Sequence, residues 1–139
     1  MPADLPSPPA TDLELFKLQE VREVLLHLHK VLLDRERIRY EGRHGRVADG
    51  LPLLRLVTRE PAFAWLRSVS LLIVQLDERL AAREPLSAEE VKLLRGEVRT
   101  LMTPNESGDD FQRKYFAGLQ EWPEAPPLHA EIKRLTAEP

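Results

Sequence analysis

The chain has 139 residues, no cysteine and a formal net charge of −3, from 23 acidic and 20 basic side chains. That length supports one domain with its own core, and the absence of cysteine excludes thiol catalysis, cysteine-ligated zinc and a disulfide scaffold. The mixed, slightly acidic charge argues against broad attraction to nucleic acid or anionic lipid and leaves only a local basic patch as a route to either.

Met1–Ala10 carries four prolines and no basic residue. It reads as a disordered leader rather than a signal peptide, with residues 11–139 as a single helical domain. The longest apolar stretch, Ala62–Leu76, contains Arg67 and is too short to span a bilayer. The expected location is therefore the cytoplasm, with no membrane contact.

Thr11-Asp12-Leu13-Glu14 has the form of a capping box, in which a threonine hydroxyl and a glutamate carboxylate satisfy N–H groups at a helix start. Leu18, Val21, Leu25, Leu28 and Leu32 then recur three and four residues apart, which predicts one helix to about Glu41, stopped by Gly42 and Gly45. This helix changes character along its length. It is widely apolar from Leu18 to Leu33 and densely charged from Asp34 to Arg46.

A short second helix is predicted from Asp49-Gly50-Leu51-Pro52 to about Arg59. Pro61 opens a third at a first-turn position, with Phe63, Leu66, Val69, Ile73, Leu76 and Leu80 on one face and Trp65 and Leu72 widening it. Only Arg67 is charged between Ala62 and Leu76, so this helix is expected to be the most buried. Ser87 and Glu90 form a second capping box, with Leu86 and Val91 placed as a hydrophobic staple. A fourth helix follows, with Val91, Leu94, Val98 and Leu101 inward. A fifth runs from about Asp109 to Glu121, prolines 123, 126 and 127 break the chain, and a last helix carries Leu128, Ile132 and Leu135. No segment alternates with period two. The predicted fold is all-α, a helical bundle of four longer helices plus one or two short ones.

Motifs for chemistry are weak. A di-iron carboxylate site needs Glu-x-x-His on two helices; the only such spacing, Glu41 to His44, spans a helix end. His27 and His29 point to different sides of a helix. There is no nucleophile elbow and no strand to carry a nucleotide-binding loop. No metal and no cofactor are indicated. Arg43-His44-Gly45-Arg46 is the most basic stretch, but it complements a helix C-terminus and lacks interleaved aromatics, so nucleic-acid binding is disfavoured.

At about 100° per residue, the leucine stripe of the first helix also embraces His29, Arg35, Glu36 and Arg39, with Tyr40 beyond its edge. On the third helix, Ser70 and Asp77 fall inside the arc of Leu66, Ile73 and Leu80. An aspartate there needs partners, and His29, Arg35 and Arg39 are the candidates. Antiparallel helices would place Asp77 nearer His29, and parallel ones nearer the arginines. His29, Arg35, Glu36, Arg39, Tyr40 and Asp77 are thus the candidate polar site. It reads either as a structural network that fixes helix register or as a pocket for a small anionic or amphipathic ligand anchored by Arg35 and Arg39, with contact to another protein as a third possibility.

The functional expectation is a helical protein-interaction or regulatory module without catalysis. Its surplus of apolar face makes a homodimer the natural arrangement, or else contact with another protein. The alternative is a small-ligand-binding or enzymatic bundle with its pocket at the C-terminal end of the first helix.

Overall fold

The computed structural model describes residues 7–137. Its helices are α1 (Asp12–His44), α2 (Leu51–Arg59), α3 (Arg67–Ala81), α4 (Ala88–Leu101), α5 (Asp110–Glu121) and α6 (Ala125–Thr136), with a 3₁₀ segment at Pro61–Leu66 leading into α3. The all-α bundle is the observed fold, and no strand is present among the described residues.

The helix starts follow from local chemistry. Thr11 and Glu14 form a capping box at α1, as do Ser87 and Glu90 at α4. A third box, Asp109 with Gln112, starts α5. Pro126 and Pro127, expected to break the chain, instead lie in the first turn of α6, where their missing N–H groups have no helical acceptor to lose. α1 runs through Gly42 and ends at Gly45, whose φ of 90° suits a residue without Cβ.

Four helices alternate in direction around one core. α1 and α3 are antiparallel, since Arg22 meets Asp77, His29 meets Ser70 and Glu36 meets Trp65. α4 returns beside α3 through a short connection, and α6 runs against it, with Arg95 donating to the carbonyl oxygens of Leu135 and Ala137. The start of α6 lies against the end of α1 through Arg35 and Glu124. α2, α5 and the 3₁₀ segment gather at that same end. Leu18, Val21, Leu25, Leu28 and Leu32 of α1 are all fully buried, against Phe63, Val69 and Leu76 from the 3₁₀ segment and α3 and Val98 from α4.

Of the expected disordered leader, residues 1–6 lie outside the described residues, and the remainder differs from expectation. Pro9 bridges antiparallel to Ser87, Ala10 N–H donates to the Leu86 carbonyl and Ala88 N–H donates to the Pro8 carbonyl. Glu89 N–H donates to the Ser7 hydroxyl. The first N–H groups of any helix lack intrahelical acceptors, and here the extended segment supplies them to α4.

The stretch expected to be most buried supplies Phe63, Trp65, Leu66, Val69, Leu72, Ile73 and Leu76 to the core, but its outer face is open, with Leu71 70% exposed and Val74 51% exposed. α1 covers one flank of α3 and α4 the other; no described element lies over the arc between them.

Candidate functional site

The polar residues of α1 separate into two sets. The first is a ladder along the α1–α3 seam, built on the seven-residue spacing of Arg22, His29 and Glu36. Residues seven apart return to nearly the same side of a helix, so all three face α3 and the 3₁₀ segment that leads into it. Arg22 Nε donates to Asp77 at 2.6 Å, His29 Nε2 lies 2.8 Å from the Ser70 hydroxyl, and the Trp65 indole N–H donates to Glu36 Oε1 at 2.8 Å. The ladder grows drier towards the end of α1. Asp77 is about half exposed, His29 is partly buried, and Glu36 is 5% exposed. Burial holds the His29 imidazole below its ordinary value of 6.5.

The second set faces the junction of α5 and α6. Arg35 makes a two-pronged contact with Glu124, Nε to one carboxylate oxygen at 3.0 Å and Nη2 to the other. The Arg35 guanidinium holds the Glu124 carboxyl below its ordinary value. Arg39 donates to Glu121 at 3.2 Å, and its guanidinium carbon lies 5.5 Å from the Trp122 ring centre. These pairs are solvent-accessible, so they fix position more than they add stability.

Between the two sets stands an aromatic wall. Trp65 lies 6.4 Å from Trp122 and 5.7 Å from Phe111, which stacks on Tyr115 at 5.5 Å. Tyr40 stacks on His44 at 4.3 Å and tilts against Phe63. Gly118 makes room for this packing, because a Cβ there would lie 2.7 Å from the Trp122 ring.

The structure therefore brings Arg35, Glu36 and Arg39 together around Trp65 and Trp122, places Tyr40 one turn further, and leaves His29 and Asp77 along the seam. The expected partners of Asp77 are corrected. It lies on the His29 side rather than by Arg35 and Arg39, as an antiparallel pair requires, but it is level with Arg22, one heptad before His29, bonds to it, and is not in an apolar core. The Glu41–His44 spacing is also spoken for, since Glu41 accepts from Val47 N–H at 2.7 Å and His44 stacks on Tyr40. Among the described residues, no three His, Asp or Glu side chains are arranged to hold a metal ion. No buried side-chain N or O atom among the described residues lacks a hydrogen-bond partner.

The sequence reading did not single out the outer face of α3 and α4. Leu71 and Val74 on α3 and Leu93 on α4, 58% exposed, lie outward there. Leu26 of α1, 40% exposed, sits at the level of Val74, between the Arg22–Asp77 and His29–Ser70 pairs. Along α4 runs a shallow hollow of about 590 Å³ lined by Glu89, Leu93, Gly96, Thr100 and Leu101 and rimmed by Lys92 and Glu97. Gly96 lies within the helix, yet among the described residues nothing beyond the neighbouring turns of its own helix comes within 4 Å of where its Cβ would be. A glycine inside a helix is destabilising, and no packing among the described residues accounts for it. The signal was present in the sequence as a lone glycine in an otherwise strong helical pattern.

No protein-family model matches the chain, and neither a curated protein nor a solved structure does. The chain folds as an all-α, up-and-down bundle closed at one end by an aromatic cluster. No helix among the described residues is long and apolar enough to cross a membrane.

Proposed function

We propose that this protein is a non-catalytic helical interaction module that pairs with a second copy of itself through the outer face of α3 and α4. The observation that carries this reading is the exposed apolar strip of Leu71, Val74 and Leu93 beside the open space at Gly96. Apolar surface gathered on one face is what association buries.

Charge favours a second copy as the occupant. Lys92 and Glu97 flank the Leu93–Gly96 strip at about 70° to either side on a helix of 3.6 residues per turn. Neither makes a salt bridge among the described residues. When two such helices lie side by side and parallel about a two-fold axis, the lysine flank of one meets the glutamate flank of the other, five residues on. That is the pairing two-stranded coiled coils use. A two-fold arrangement repeats the contact, so both ion pairs form.

The polar residues at the end of α1 support the same reading from the other side. Arg35, Glu36 and Arg39 are each engaged by Glu124, Trp65 and Glu121, which favours a structural network over a ligand pocket anchored there. Light scattering coupled to size exclusion tests the proposal. The native chain is expected to elute as a dimer at micromolar concentration, and Leu93→Glu as a monomer with unchanged helical circular dichroism. A native chain that is monomeric throughout would remove the reading.

A further inference from the structure

A second feature, sharing no residue with the α4 hollow, lies between α4 and α6. It is a cavity of about 240 Å³ whose wall includes Arg99, Met102 and Pro104 at the end of α4 and His129, Ile132 and Lys133 on α6. Among the described residues, no carboxylate lines it. Among the described residues Arg99 donates once, to the Thr136 carbonyl at 3.2 Å, and its other guanidinium donors have no partner there. Neither Arg99 nor Lys133 forms a salt bridge among the described residues.

His129 supplies a third donor. Its Nδ1 lies 2.7 Å from the Tyr115 hydroxyl. Tyr115 is a buried phenol, pushed well above its ordinary value by burial, so it keeps its proton. That proton has no other acceptor among the described residues, and leaving it unpaired would be costly. The hydroxyl therefore donates to Nδ1, which fixes the neutral ring in the tautomer with hydrogen on Nε2. Burial, with help from the Lys133 charge, holds His129 below its ordinary value and keeps the ring neutral.

The walls thus divide by chemistry into two cations and one N–H donor over an apolar floor of Met102, Ile132 and Pro104. One effect opposes an anion here, because α4 and α6 both end at this cavity and helix carbonyls carry partial negative charge. Several of those carbonyls are engaged, since Met102 N–H donates to Val98, Thr103 N–H to Thr100, the Thr103 hydroxyl to Arg99 and the Arg99 guanidinium to Thr136. We propose that this cavity binds a small organic acid, with the carboxylate held by Arg99, Lys133 and His129 Nε2–H and a short apolar body resting on Met102 and Ile132. The volume is below the usual range for drug-sized ligands, roughly 300–1,000 Å³, which limits the ligand to a short-chain or single-ring acid. The apolar floor distinguishes such an acid from inorganic phosphate.

Titration of the full chain with butyrate, hexanoate and benzoate, followed by amide NMR, tests the assignment. Hexanamide and inorganic phosphate serve as controls, and Lys133→Met as the variant, since the Lys133 side chain makes no hydrogen bond or salt bridge among the described residues. At least one acid is expected to give saturable shifts confined to residues around 99–104 and 129–136. Lys133→Met is expected to weaken it at least fivefold with unchanged melting temperature, and hexanamide not to bind. The assignment is overturned if no acid in the panel saturates, if Lys133→Met binds as well as the native chain, or if phosphate alone binds. None of these outcomes depends on the α3–α4 face, whose failure would show as a monomer in sedimentation.

Discussion

Glu36 shows how a charged residue can sit inside the apolar stripe of a helix. Its carboxylate is nearly inaccessible and its one protein hydrogen bond comes from the Trp65 indole. Trp65→Phe keeps most of the apolar volume but leaves that carboxylate without its donor. The expected destabilisation is about 1–3 kcal/mol, the range for an orphaned buried polar group. Adding Glu36→Leu in the Trp65→Phe background is expected to recover most of the loss, because both polar partners are then gone together. Urea denaturation of the native, single and double variants measures this directly. At this scale the sequence made the inward position of Glu36 legible by angle alone, but not its partner. Nothing in the local pattern says that a tryptophan twenty-nine residues later meets it.

The helices themselves were the most legible level. Two capping boxes, at Thr11 and Ser87, and the three-and-four leucine spacing of α1 rest on contacts within a few residues, and all recur in the structure. What could not be read was where neighbours end. The periodicity of α3 marks its inner face correctly, but a helical wheel does not reveal that Leu71 and Val74 receive no covering element. Likewise, Arg35 and Arg39 find Glu124 and Glu121 only because the chain returns at the α5–α6 junction, a tertiary event with no local signature. Gly96 gives an element-scale prediction. Its backbone is helical and the space beside it is open, so Gly96→Ala is expected to stabilise the isolated bundle by about 0.5–1 kcal/mol. If a second copy approaches at this point, the same change is also expected to weaken self-association. Denaturation below the dissociation concentration, paired with a dilution series, separates the two effects.

At the scale of the whole molecule, stability should depend on pH in two steps. His29 and His129 both have folded values held below 6.5, so below that pH the unfolded chain binds more protons than the folded one. Stability is therefore expected to fall as pH drops from about 7 through this range. Glu90 and Glu124 are held below 4.5 in the folded chain by Arg79 and Arg35, so their contribution is present above that pH and is lost on further acidification. His29→Gln combined with His129→Gln is expected to flatten the upper step and leave the lower one, as thermal melts from neutral to acid pH would record. The whole-molecule claim is that the bundle is completed by a second copy along α3 and α4, and a charge-swap cycle tests it most directly. Sedimentation velocity at micromolar concentration would compare the native chain, Lys92→Glu, Glu97→Lys and the double swap. The account predicts a native dimer, at least tenfold weaker association in each single variant, and restored association in the double swap, where each opposite-charge pair is rebuilt with its sign reversed. A monomeric native chain, or a double swap no better than the single variants, would contradict it.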